Sequence, residues 1–343
     1  MLMRHLHKWG FPLSCAVALI LTTGCYESYI KDYDVSAVYT AYQWDLRTFV
    51  VGEDQAFKFT VALAGVMDNR QDRAVQVSVV DALVTDDIAA SIPSLGVQGV
   101  RAWQGLCGQA SIGTLSGDYV GAALAEAEIT ALEPLPSEFY TLEGRQGLTI
   151  AKGSHTATVT IRAKDAFLAD PRAYVPGFAL GFRIDGADAD LVPPEKSFAV
   201  IAVRCENKFY GYYTRAAHIK RINASGTVVS ETDVAASTAD DFVYTLTTLD
   251  AQTVRSNKVV GEAREMILHF NGDQITISSE DGNVTGEGSF NGAKLLQDRE
   301  LSLHYVVTEP DGGRAEVSEV LHFRNRIRDG VNEWQDEHPE HYR

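Results

Sequence analysis

Met266-Ile-Leu-His-Phe-Asn-Gly-Asp-Gln-Ile-Thr-Ile-Ser278 is the stretch that decides the fold. Two short apolar runs meet at Asn271-Gly272, and an Asn-Gly step between such runs is the strongest short-range signal of a tight β-hairpin. Working outward, Asp311-Gly312-Gly313 marks a second turn and Glu280-Asp281-Gly282-Asn283 a looser one. Strand-like runs at 209–215, 242–248, 284–290, 301–308 and 315–323 complete the series. Six or more strands in consecutive hairpins predict an antiparallel meander over 205–330, closing as a small β-barrel, with a second β-sandwich as the alternative. Residues 331–343 read as a polar tail.

The first half is also all-β. Runs rich in Val, Ile, Thr and Phe at 36–43, 47–51, 56–64, 74–81, 156–163, 178–184 and 197–204 are divided by turn residues such as Val51-Gly52-Glu53-Asp54 and Ala151-Lys152-Gly153-Ser154. This spacing predicts an immunoglobulin-like β-sandwich over 35–204. Residues 82–137 break the pattern and read as an insertion with local structure near a functional surface, including a short helix in the Ala- and Glu-rich stretch 122–131.

The N-terminus carries an address. Arg4 and Lys8 precede an apolar run from Phe11 to Leu21, too short to span a bilayer, and Thr22-Thr23-Gly24-Cys25 closes it. Residues 1–24 are therefore expected to be a lipoprotein signal peptide, Cys25 the lipidated residue and 25–34 a tether. Leu21 lies four residues before Cys25 rather than three, a looser form of the signal. An ordinary secretory signal is the alternative. Acylation of Cys25 would hold the protein on the outer membrane, expected at the cell surface.

Removing 1–24 leaves 28 Lys and Arg against 46 Asp and Glu, a net charge of -18. Such acidity argues against nucleic acid and anionic lipid as partners, because each requires a basic footprint, and leaves neutral glycans or proteins. Cys107 and Cys205 either pair or stay as buried thiols. No zinc spacing accompanies them.

Chemical motifs are sparse. Asp185-Gly186-Ala187-Asp188-Ala189-Asp190-Leu191-Val192 resembles the DGxDxDxE signature of chitinase-like glycoside hydrolases, but Val192 stands where the proton-donating Glu would be. The segment reads as an acidic loop, with a calcium loop as the weaker alternative. Ser154-His155 reads as a turn, and GxSxG, HExxH, P-loop and dinucleotide fingerprints are all missing from the sequence. His218, His269, His304 and His322 fall in the strand-rich half and read as packed or surface side chains. Glu126, Glu128 and Glu133 form the one dense carboxylate cluster and read as a solvated helix face. No catalytic residue, metal site or cofactor is expected. Aromatics are the better candidates, because sugar rings stack their C-H faces on Trp and Tyr. The expected glycan-binding residues are Trp103, Trp334, Trp44, Tyr210 and Tyr212.

Val38-Tyr39, Tyr42-Gln43, Arg47 to Glu53, Leu135 to Leu142, Ile150 to Ser154 and Asp165 to Pro171 together resemble a domain of unknown function. It recurs at the N-terminus of Bacteroidota surface lipoproteins and ahead of the catalytic domain of some endo-beta-N-acetylglucosaminidases. Asn207 to Tyr213, Gly286 to Phe290 and Leu321 to Arg324 are similar to the lipocalin-like or related β domain that often follows it. The resemblance implies a non-catalytic, glycan-binding accessory of a polysaccharide-utilisation system. A structural or adhesin-type surface protein that binds a protein partner is the alternative.

Overall fold

The computed structural model describes residues 34–53, 55–85, 115–239 and 242–336, with side chains from 120 onward in the first helix. The expected signal peptide, Cys25, most of the tether, Trp103 and Cys107 lie outside the described residues. No helix among the described residues is long and apolar enough to cross a membrane.

The N-terminal half is a sandwich. One sheet contains β1 (Ala37–Thr40), β3 (Ala56–Ala64), β8 (Thr156–Ala163) and β6 (Tyr140–Glu143), in the order β1-β3-β8-β6. The other runs β2-β10-β9-β4-β7, from β2 (Trp44–Val50), β10 (Phe198–Glu206), β9 (Phe178–Ala187), β4 (Arg73–Val79) and β7 (Thr149–Ile150), with β5 (Glu133–Pro134) beside β9. The sheet on sheet arrangement follows from period-two alternation. In β8, Ala157, Val159, Ile161 and Ala163 are buried while Thr156 and Thr158 face out. Phe59 and Phe182 stack across the layers at 4.5 Å.

β2 and β10 are buried on both faces, which alternation does not predict. Trp44, Leu46, Phe198, Val200 and Ala202 form a third layer with Val120, Ala123 and Leu124 of α1 (Leu115–Glu126). The described parts of the 82–137 insertion thus cover an apolar sheet face. The helix lies seven residues upstream of the expected start, and Glu128, in the left-handed region at φ 54°, marks where it ends. Gly181 lets the turn at Asp81–Leu83 lie flat on β9, because a Cβ there would sit 2.4 Å from the Val80 carbonyl oxygen.

The second half is a closed eight-stranded antiparallel barrel, which decides against a second sandwich. Its strands are β11 (Gly211–Ile222), β13 (Tyr244–Asp250), β14 (Thr253–Val259), β15 (Glu262–Asn271), β16 (Gln274–Ser278), β17 (Val284–Phe290), β18 (Glu300–Thr308) and β19 (Arg314–Arg328). β11 closes it, pairing with β19 from Tyr212 to Ile222 and with β13 at Gly211 to Tyr213. β12 (Val228–Val234) hangs on the far part of β11, and β20 (Val331–Glu333) on the end of β19. The expected polar tail therefore begins with a strand.

Asn271 pairs with Gln274, so the hairpin turn is Gly272-Asp273, with Gly272 at φ 64°. Gly at the first central position is the type II′ requirement; the turn sits one residue later than the Asn-Gly step suggests. The barrel interior is filled by side chains such as Tyr213, Tyr244, Met266, Leu268, Leu303 and Leu321. One ion pair lies among them. Arg215 reaches Glu319 at 2.8 Å, and Tyr244 and Tyr305 donate to the same carboxylate at 2.9 and 2.8 Å. The Val260-Gly261 hairpin tip caps this cluster, its two N-H groups donating to the Tyr305 and Tyr244 hydroxyls. Val260 holds φ 55°, an uncommon state for a β-branched residue that these bonds and its burial sustain.

Candidate functional site: the groove between the two domains

β19 is 15 residues long and outruns its partner β18, so its last turn of chain meets the sandwich. Arg324, Arg326 and Arg328 alternate along it. Arg326, 1% exposed, points into the joint and forks onto Glu53 of the β2–β3 turn at 2.9 and 2.7 Å. Arg299, from the loop before β18, reaches Glu53 at 3.0 Å and the Lys208 carbonyl at 2.7 Å. Glu333 of β20 closes the far side, accepting from Arg326 at 2.6 Å and Arg328 at 2.7 Å. Burial by itself would raise the Glu53 carboxyl. The Arg326 fork and the Arg299 charge outweigh it and hold Glu53 at about 2. Bidentate guanidinium–carboxylate pairing also fixes direction, so one turn of the sandwich is clamped against one strand of the barrel.

A second tie lies beside the first. Asp329-Gly330, both at positive φ, form the tight turn between β19 and β20. The Asp329 carboxylate accepts from the hydroxyl and the N-H of Thr48 on the sandwich edge strand β2. Arg47 stands 3.9 Å away, and one Asp329 oxygen is buried without a hydrogen-bond partner. Burial is the dominant influence and pushes Asp329 up to about 6, against the opposing pull of Thr48 and Arg47. On the linker side, Thr248 donates to Glu206, and Asn207 binds the carbonyls of Asp250 and Ala251 at 3.2 and 2.9 Å.

These ties shape a groove of about 800 Å³ between the domains. Arg47, Thr48, Phe57 and Lys58 form the sandwich wall; Arg326, Arg328 and the β20 segment through Asp336 form the barrel wall. Trp334 stands in it 58% exposed, next to Val331 at the same exposure. An indole held open beside amides and charged groups can stack on the apolar face of a ring while its neighbours take hydroxyls.

Of the aromatics expected to bind, Trp334 alone among the described residues stands open in this groove. Trp44 is a correction: 8% exposed, it packs edge-on against Phe198 at 5.4 Å under the insertion layer and has no face to offer a ligand. Tyr210 is a second correction. It is 7% exposed and lies under the Arg326 guanidinium at 5.2 Å, inside the joint. Tyr212 is half-buried on β11. Glu53, Arg299, Arg326 and Glu333 went unrecognised in the sequence; the period-two arginines at 324, 326 and 328 were the available signal.

The acidic loop is spent on structure. Asp190 accepts from the Ser36 N-H and hydroxyl at 2.8 and 2.6 Å, Asp188 from Ala74 N-H at 2.9 Å, and Asp185 pairs with Arg183 at 2.8 Å. Among the described residues no group of three His, Cys, Asp or Glu is placed to hold a metal ion. Cys205 is a free, buried thiol, pushed up to about 12 by that burial.

No family model matches the chain, and no curated protein matches it significantly. Solved structures do. A Bacteroides ovatus protein of unknown function is 19% identical, covers 89% of this chain and 99% of its own, and superposes with a TM-score of 0.58. That likeness establishes a shared two-domain fold. A multidomain Bacteroides ovatus protein including DUF1735 is 10% identical, covers 87% of this chain and 99% of its own, with a TM-score of 0.37. An auxiliary nutrient binding protein from Bacteroides thetaiotaomicron is 14% identical, covers 84% and 93%, and also scores 0.37. Likenesses as remote as these last two carry no argument about this chain.

Proposed function

We propose that the protein is a non-catalytic, lipid-anchored accessory of the outer-membrane surface that holds glycan in the groove between its sandwich and its barrel. The observation that carries this reading is Trp334, an exposed indole in a groove whose shape is fixed by the Glu53–Arg326 clamp. Trp334 and Val331 stand side by side as an apolar platform in a groove with polar walls, and a preformed groove avoids the cost of ordering on binding. Crowding on a membrane would add avidity to weak single sites. Affinity electrophoresis through host and plant glycans, with reducing-end release read from the same samples, tests it. Retardation without release is expected, and lost retardation in Trp334→Ala places it in the groove. Release of sugar would make the protein an enzyme.

One observation favours a protein partner instead. β12 lies at the end of its sheet, its outer edge without a strand partner among the described residues, with Val228 and Val229 47% and 60% exposed. Such an edge accepts an added strand. Capture of a protein without sugar, abolished by a Pro in β12, would support this second reading.

A further inference from the structure

We infer that the groove takes an uncharged saccharide and discriminates against uronate and sulfated sugars, an inference that rests on the glycan reading above. Four cations and four acids line it. Three of the four cations are already committed: Arg326 to Glu53 and Glu333, Arg328 to Glu333, and Arg47 to Asp45 at 2.7 Å. Glu53, which takes Arg326 and Arg299 together, stays ionised down to about pH 2, so its pairing with Arg326 does not open in any physiological range. An entering carboxylate or sulfate that took Arg326 would leave the buried Glu53 uncompensated, and one that approached the partly exposed Arg47 or Arg328 would meet the carboxylates of Asp329, Glu333 and Asp336 beside them. Lys58, exposed at the rim, is the one lining cation without an ion pair among the described residues, and an exposed ammonium contributes little.

What the groove offers beyond these closed pairs suits hydroxyls and C-H faces. Trp334 and Val331 supply an apolar platform, and the side chains of Asn332 and Gln335 supply neutral amides beside it. A second observation is independent of the groove. The chain carries a net charge of -16, so an anionic polymer is repelled before it arrives. At about 800 Å³ the groove is at the upper end of ligand-site sizes and has room for more than one sugar ring.

The test is affinity electrophoresis of the full chain in detergent through matched polymers: galactan against polygalacturonate, xylan against glucuronoxylan, and dextran against dextran sulfate. Each runs at about 20 mM and about 300 mM NaCl, which changes the screening length several-fold. The expected result is retention by at least one neutral member, at least tenfold tighter than by its charged counterpart, unchanged by salt and lost in Trp334→Ala. Retention of a charged member equally well or better, weakening with salt, would overturn the inference while leaving the glycan reading intact. Retention by no member at either salt would remove the glycan reading itself.

Discussion

Replacing Glu53 by Gln keeps the shape of the clamp and removes its charge, and the cost can be worked out from the structure in two ways. Holding the carboxyl at about 2 rather than its ordinary 4.5 amounts to about 3 kcal/mol of stability at neutral pH, at about 1.36 kcal/mol per unit. Because the side chain is only 11% exposed, solvent screening removes little of this. Independently, deleting one partner of a buried ion pair typically costs about 3–5 kcal/mol, since the orphaned guanidinium stays buried. The folded carboxyl is depressed, so its contribution is complete above the ordinary value and is lost as pH falls towards and through about 2. The same two values give a gap between wild type and Glu53→Gln of about 3 kcal/mol at pH 7 and about 1.5 kcal/mol at pH 3. Urea unfolding of both proteins at the two pH values measures it. A gap under about 1 kcal/mol at pH 7, or one that does not shrink on acidification, would refute the clamp as the element that joins the domains.

Other substitutions report on other parts of the account. Trp334→Ala should weaken glycan binding at least fivefold, about 1 kcal/mol or more, which takes a weak site below what retardation detects, and leave the thermal midpoint unchanged because the side chain is exposed; a falling midpoint would make Trp334 structural. Glu319→Leu should destabilise the barrel by about 3–5 kcal/mol by stranding Arg215, and Arg215→Met in the same chain should restore most of the loss; additive losses in the double variant would contradict the buried pair. Asp329, raised to about 6 in the folded state, makes stability fall as pH rises through about 6, and Asp329→Asn should abolish that slope with a gain of about 2–3 kcal/mol at pH 7. Titration of the denaturation midpoint from pH 4 to pH 8 reads it directly.

The hairpins were legible because their signal is local. A turn residue between two alternating runs is readable from a dozen residues, and the barrel meander from Gly272 to Phe323 follows from such steps. Helix α1 was misplaced because Gly117 and Gly121 dilute its propensity, whereas its apolar residues answer to a distant sheet face on β2 and β10. The clamp was invisible for a related reason. An arginine in an exposed strand and one that is 1% exposed have the same sequence context, and what distinguishes Arg326 is Glu53, 273 residues away. Of the aromatics the sequence singles out, Trp334 is exposed in the groove whereas Trp44 and Tyr210 are buried, because packing and binding recruit the same residue types.

The central claim is that glycan sits between the domains, against β20 and the β2–β3 turn. Hydrogen–deuterium exchange of the full chain with and without a retained glycan tests it most directly. The account predicts that backbone protection rises together at 47–58 and 326–336 and nowhere else to the same degree. Protection confined to β12 at 228–234, or to the sandwich away from the groove, would contradict it.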